Sequence, residues 1–413
     1  MTNPISLFLI ILCHSRVPAS GVGENGNPVL LYMRNIFHFF YRTFLYSAKF
    51  LLVVAIIVSC SKQPTETVDY SYSIPEKTDD GWEVASLNDA EINIEQIEIV
   101  TDKIQKNIFK DIHSLLIVKN SAIVHEEYFN GYTRAHLQDI FSITKSVSSS
   151  LIGIAIDKGF ITGVDDPVVS YLPQYLNDVT DEKMNEVTLK HILTLSSGMD
   201  WDEKTYVYED PRNSENQMIQ NYDWMKFVLS RSIINAPGTV WEYNTGSVHL
   251  LSAVIKNAAG LFADQFIEEY LFGPLGITDY DWNKDNMGYQ CTGATLGGLR
   301  MKIRDLAKFA LMILKNGKWN SEQIISESWV EESSTQHIVI PENTNNMGYL
   351  WWLGEINVNS ERIDYIASYG YGEQTMYIVP KLDMIVIITC SAAKKDADIF
   401  LPVMMIFQAA VNN

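Results

Sequence analysis

Two pairs of β-branched and aromatic runs, one toward each end of the chain, set the tightest limit on its fold. Residues 114–119 and 122–129 flank Asn120-Ser121 and read as an antiparallel hairpin, and residues 374–379 and 384–389 flank a Pro380-Lys381-Leu382-Asp383 turn. Helical patterns lie between them over 145–157, 247–258 and 303–315. Strands at both ends with helices in the middle predict an α+β fold. Its core is an α/β sandwich, an antiparallel sheet flanked by helices, with a mainly helical insertion over about 161–289.

The start of the chain has a different character. Arg34, Arg42 and Lys49 precede an apolar run over 50–58, followed by Ser59 and Cys60. The nine-residue run is shorter than the roughly 20 residues that span a bilayer, and reads as a secretory signal. Ile57-Val58-Ser59-Cys60 resembles a bacterial lipobox, which makes Cys60 the expected lipidation site. Residues 1–59 are therefore expected to be a signal region. Met33 is a sensible start for it, leaving 1–32 as a candidate misassigned extension. Residues 60–90 are expected to be the lipidated cysteine and a polar linker, and 91–413 the folded domain. The expected location is the bacterial cell envelope, held to the membrane by lipid, with the leaflet open.

Charge and cysteine usage exclude several functions. The chain has 31 Lys+Arg against 50 Asp+Glu, a net charge of −19, so it offers no basic surface for nucleic acid. Anionic lipid would repel it as well, leaving the lipid chain as the anchor. Cys13, Cys60, Cys291 and Cys390 lack the C-x-x-C spacing of zinc or dithiol sites. A Cys291–Cys390 disulfide stays open in an oxidising envelope.

Ser142-Ile143-Thr144-Lys145 opens a helical pattern and puts a serine and a lysine one turn apart on one face. A serine hydroxyl needs a base, and a lysine at i+3 can serve if burial lowers its pKa from about 10.4. The helix N-terminus can meanwhile stabilise an oxyanion. The same spacing occurs at Ser59/Lys62 and Ser391/Lys394, and Ser142 could equally be a helix N-cap. A second element, Pro237 to Gly246, contains Tyr243. A phenol beside an ammonium can exist partly as phenolate and shuttle a proton, although packing beside Trp241 also accounts for it.

With both elements in place, the chain resembles the serine β-lactamase and penicillin-recognising superfamily in its class C-like esterase branch, nearest to the 6-aminohexanoate-oligomer hydrolase type. The resemblance covers about 110–410. It rests on Phe141 to Ser146, Gly163 to Pro167, His191 to Gly198, Pro237 to Gly246, Gly297 to Met301 and Gly370 to Gln374. It implies a hydrolase that needs no cofactor or metal and cleaves a small-molecule ester or amide. Ser142 is the implied acylated nucleophile, Lys145 its base and Tyr243 the proton shuttle. The backbone N–H groups of Ser142 and Tyr371 are the implied oxyanion donors, with Ser368 as an alternative register.

Two departures stand out. The usual Tyr-x-Asn reads Tyr243-Asn244-Thr245, and the usual Lys-Thr-Gly is absent. Thr245, Trp201 and Glu373 are expected to meet substrate, with Tyr206, Tyr208, Trp351 and Trp352 as further lining candidates. Glu373 is expected to disfavour substrate carboxylates, unless it points to solvent or Arg300 replaces the missing cation. His249 reads as a packed histidine, and His125-Glu126-Glu127, without a second histidine, as a solvated strand face rather than a zinc site. No G-x-S-x-G or Walker loop is present. Two alternatives stay open: a lipoprotein that keeps the fold but only binds, and an enzyme that recognises β-lactams or D-alanyl peptides.

Overall fold

The computed structural model describes residues 68–341, 345–391 and 399–411. The expected signal region and Cys60 lie outside them. The elements, in chain order, are β1 (Glu83–Val84), α1 (Ile94–Gln105), β2 (Ile112–Lys119), β3 (Ala122–Tyr128), β4 (Gln138–Asp139) and α2 (Ile143–Asp157). The helical region follows with α3 (Leu189–Leu193), α4 (Ser214–Ile219), α5 (Trp224–Leu229), α6 (Thr245–Ala259) and α7 (Ala263–Ile267). After β5 (Tyr280–Trp282) and β6 (Leu299–Met301) come α8 (Ile303–Leu314), β7 (Lys318–Trp319), β8 (Glu322–Gln323) and α9 (Glu327–Ser333). The chain then runs through β9 (Ile338–Val339), β10 (Asn346–Met347), β11 (Trp352–Val358), β12 (Glu361–Gly370), β13 (Gln374–Val379), β14 (Met384–Cys390) and α10 (Phe400–Val411).

The main sheet has the order β1-β3-β2-β14-β13-β12-β11-β10-β9 and is antiparallel except for β1 on β3. The first and last long strands thus meet inside it, where β14 pairs with β2. Side chains alternate between two cores, as a period of two requires. Leu116, Val118, Ile385 and Ile387 face α2, α8 and the helical region, whereas Leu115, Ile117, Val386 and Ile388 face α1 and α10. Burial on both faces explains why β2 and β14 are almost continuously apolar.

The predicted hairpins and helices stand within two residues of their expected ends. Asn120 and Ser121 both take positive φ, 52° and 66°, the backbone of a type I′ turn. Two more hairpins use the same dipeptide, β7–β8 at Asn320-Ser321 and β11–β12 at Asn359-Ser360, again with both residues at positive φ. A three-stranded sheet, β4-β6-β5, ties the start of α2 to the segment after the helical region.

Two sequence expectations need correction, and one question left open there is answered. Residues 68–90 are not a free linker, because they dock on the β3 side of the fold. Trp82 and Leu87 are buried, Tyr72 Oη donates to Val124 O at 3.0 Å, and Trp82 Nε1 donates to Arg304 O at 3.1 Å. The His125-Glu126-Glu127 stretch is not a solvated face. His125 is buried against Thr101 Oγ1 at 3.1 Å, and desolvation pushes its imidazole down to about 4. Glu126 accepts from Arg304 Nη2 at 2.6 Å and Arg134 Nη2 at 3.0 Å, which holds its carboxyl low despite burial. Cys291 and Cys390 are free buried thiols in different cores, so they form no disulfide.

Helix α2 is buried on every side from Ile143 to Ala155, so its packing tolerates little added volume. A Cβ at Gly153 would stand 2.4 Å from the Trp329 indole. Alanine there gains about 1 kcal/mol of helix propensity but brings roughly 1–3 kcal/mol of overpacking strain. The Trp329 ring, buried against Tyr349, has little room to retreat. Gly153→Ala should therefore lower the urea midpoint, and a raised midpoint would show that the indole moves freely.

Candidate active site

The site begins where β4 turns into α2. Ile140 N–H donates to Leu299 O at 3.0 Å, and Phe141 is held at φ 45°, an uncommon conformation for a bulky side chain. Ser142 follows as the residue that starts α2. It occupies the N-cap position, but its Oγ makes no helix-capping hydrogen bond. Instead Oγ receives Tyr243 Oη at 2.7 Å and Lys145 Nζ at 3.0 Å. The three residues implied by the resemblance thus converge on one oxygen.

Lys145 is only 4% exposed, and its Nζ also reaches Thr245 Oγ1 at 3.1 Å and Gly293 O at 2.6 Å. Burial disfavours the ammonium and pulls Lys145 down to about 8, against the opposing pull of Glu203 and Glu215. Tyr243 moves the other way. Desolvation, reinforced by the Glu203 charge, raises its phenol well above the usual range. Burial therefore works against the expected phenolate character and favours the neutral phenol, whose Oη donates to Ser142 Oγ. Nζ lies 4.7 Å from the centre of its ring.

Other expected residues take different places. Thr245 lines the cavity, but its hydroxyl is already engaged: it accepts from Lys145 and donates to Glu203 Oε1 at 2.8 Å. Trp201 is buried beside Phe227, and its Nε1 donates to Glu203 Oε2 at 2.6 Å. It is a support for that carboxylate and is absent from the cavity lining. Asn244 caps α6 by accepting from Ser247 N at 2.7 Å. The Asn244 amide is therefore engaged at the helix cap, and Thr245 presents a hydroxyl at the lining position.

The cavity, of about 270 Å³, is lined by Ser142 and Thr245, the apolar Phe141 and Leu296, and Tyr208 and Tyr371. The Tyr371 ring lies 5.7 Å from Phe141 and 5.3 Å from Tyr208. Its turn is fixed by Gln374, whose Nε2 donates to Tyr371 O at 3.3 Å and Cys390 O at 2.7 Å. A Cβ at Gly370 would meet Ile140 O at 2.5 Å, so a glycine lets the turn approach the nucleophile segment. Ser368 lies behind this wall, buried and hydrogen-bonded to Ser146 Oγ at 2.8 Å. Tyr371 shares the cavity lining with Ser142, whereas Ser368 is absent from it.

Glu373 is exposed at φ 67° and lies off the cavity wall, so the charge expected from it does not face the pocket. Two other carboxylates, Glu209 and Glu215, line the wall. Glu215 is buried, and desolvation together with Glu203 raises its pKa. Arg300 is occupied by Asp139 at 3.3 Å and Asp281 at 3.5 Å and does not replace the absent cation. Trp351 stacks on Phe309 in the core, Trp352 packs on Trp241, and Tyr206 lies under Arg212. His249 is buried against Asp285 at 3.0 Å.

Glu203 and Glu215 escaped the sequence reading. Neither stands at a motif position, and Glu203 reaches Thr245 only across 42 residues of chain.

A serine at the start of a buried helix, a desolvated lysine one turn on and a phenol on the same oxygen define a serine hydrolase of the β-lactamase fold. Residues 112–402 match the Beta-lactamase family, and the chain belongs to it. It is similar to the 6-aminohexanoate-dimer hydrolase of Paenarthrobacter ureafaciens, 22% identical over 66% of this chain and 71% of the relative. It is also similar to PbpX of Bacillus subtilis, provisionally named a penicillin-binding protein, 27% identical over 62% and 70% of the two chains. Among solved structures, a Bacillus anthracis protein provisionally named a 6-aminohexanoate-dimer hydrolase superposes with a TM-score of 0.63. It is 20% identical and covers 83% of this chain and 88% of its own.

Proposed function

We propose that the chain is an envelope-anchored hydrolase that cleaves small esters or amides through an acyl-enzyme on Ser142. The observation that carries this reading is the single oxygen of Ser142 within hydrogen-bond reach of both Tyr243 and a buried Lys145. Lys145, as the neutral amine, takes the Ser142 proton while Oγ attacks the carbonyl. The backbone N–H groups of Ser142 and Tyr371 hold the oxyanion. Tyr243 gives its proton to the leaving group and recovers one from the Lys145 ammonium. Water then releases the acyl group.

Residues that act as a unit lose activity together. Ser142→Ala, Lys145→Ala and Tyr243→Phe should each cost on the order of 10² to 10⁴ in kcat, with double variants little worse than the poorest single. Because Lys145 must be unprotonated, kcat/KM should rise with pH through about 8 and fall about tenfold per unit below it. Additive losses, full activity in Ser142→Ala, or a rise placed near pH 10.5 would contradict this mechanism.

The substrate class follows from the charge of the lining. Glu209 and Glu215 stand on the wall, and among the described residues no Lys, Arg or His joins them there. At about 6 Å and an effective dielectric near 20, one ionised carboxylate disfavours a substrate carboxylate by roughly 3 kcal/mol and favours an ammonium equally. Neutral and amine-bearing substrates should therefore be hydrolysed faster than penicillins or anionic peptides. The preference should grow with pH as Glu215, whose pKa is raised, ionises. Glu215→Gln should narrow it in competition assays. Efficient penicillin turnover by the unmodified protein would overturn it.

Anchoring rests on the sequence Ile57-Val58-Ser59-Cys60. Cys60→Ala should abolish lipid labelling and release the protein from the membrane fraction, and unchanged retention would exclude Cys60 as the anchor.

A further inference from the structure

Glu203 is a buried carboxylate that lies behind the cavity wall and touches it through Thr245. It is 3% exposed. Oε2 accepts from Trp201 Nε1 at 2.6 Å and Thr245 N at 2.8 Å, and Oε1 accepts from Thr245 Oγ1 at 2.8 Å. The Thr245 hydroxyl, having given its hydrogen to Glu203, can only accept from Lys145, which it does at 3.1 Å. Removing that acceptor would leave a buried donor of Lys145 unsatisfied.

We infer that Glu203 is a positioning residue for this hydrolase: through the Thr245 hydroxyl it aims the Lys145 amine at Ser142, and its charge sets the pH at which that amine becomes a base. The inference rests on the proposed roles of Ser142 and Lys145. Two hydrogen bonds separate Glu203 from Nζ, which puts the two groups within about 6 Å in a dry environment, and although burial raises the Glu203 pKa, the three donors on its carboxylate favour the ionised form. Other groups facing Lys145 are accounted for. Glu215 supplies a second carboxylate, Tyr243 is neutral, and the Lys204 ammonium lies over the Trp241 ring at 4.0 Å and farther from Tyr243 at 5.3 Å. Glu203 precedes Glu215 among the charges that raise Lys145.

The test compares Glu203→Gln, Glu203→Asp and the unmodified protein in kcat/KM against pH with an uncharged ester. It also compares the rate of Ser142 labelling by a fluorophosphonate, read by intact mass. Glutamine removes the charge but keeps the shape. The rising limb should move down by about one pH unit, with a plateau kcat lowered roughly tenfold as one donor loses its acceptor. Aspartate keeps the charge but shortens the reach, so its limb should stay near the parental pH while its plateau falls. A purely structural role would lower both plateaus and leave both limbs in place, and that result overturns the inference. If Glu203→Gln does not fold, Glu203→Met, which removes the charge without leaving a buried polar group, decides: a rising limb lowered by about one pH unit supports the inference and an unmoved limb overturns it. Failure of the unmodified protein to label at Ser142 would instead overturn the catalytic reading, which keeps the two failures distinguishable.

Discussion

The site depends on hiding one amine from water. Moving an ammonium-sized ion into a protein interior costs several kcal/mol even after relaxation, so Lys145 is tolerable only where acceptors surround it. They come from separate parts of the chain: Ser142 at the start of α2, Thr245 in the first turn of α6 and Gly293 in the loop before β6. Glu203, from the stretch before α4, supports Thr245 from behind. Assembling the base and assembling the fold are therefore one event. The same desolvation that is unfavourable for the ammonium makes the free amine available near neutral pH.

That requirement explains the packing around α2. The helix has α6 on one side and strands β12 and β13 on another, and its serines turn inward to satisfy neighbouring backbone. Ser146 Oγ donates to Leu350 O at 2.7 Å and Ser148 Oγ to Thr292 O at 3.0 Å. Small hydroxyls let the surrounding elements approach closely while leaving few polar atoms unpaired. A run of four serines around 146–150 looks polar in sequence but lies inside the protein.

The legibility of the site follows from how local each contact is. Ser142 and Lys145 are an i, i+3 pair, so helix geometry alone brings them together. Tyr243 required the resemblance, since nothing local distinguishes it from packed aromatics. Glu203 required the tertiary structure, because its function lies in a contact with Thr245 that no period encodes. The fold behaves similarly. Asn120-Ser121 was readable as a turn because strong apolar runs flank it, whereas Asn359-Ser360 carries the same backbone between strands with polar and charged positions. Residues 68–90 read as a tether because their polar composition conceals Trp82, whose indole packs against Trp319 at 5.8 Å between ring centres.

The cavity wall concentrates backbone strain. Phe141, Ala294 and Leu296 all line it with positive φ, at 45°, 76° and 58°, and each such residue costs on the order of 1–3 kcal/mol. Fixed neighbours hold the conformations in place. Ile140 N–H is tied to Leu299 O at 3.0 Å, Ala294 N–H to Cys291 O at 2.9 Å, and Gly297 N–H to Ala294 O at 3.1 Å. The β4-β6-β5 sheet joins the Phe141 side to the Ala294–Leu296 side, so neither can relax alone. Relaxing Phe141 to an ordinary φ would rotate the peptide that leads into Ser142 and re-aim its backbone N–H. The strain therefore belongs to the positioning of Ser142, and the small sheet, far shorter than the main one, is what sustains it.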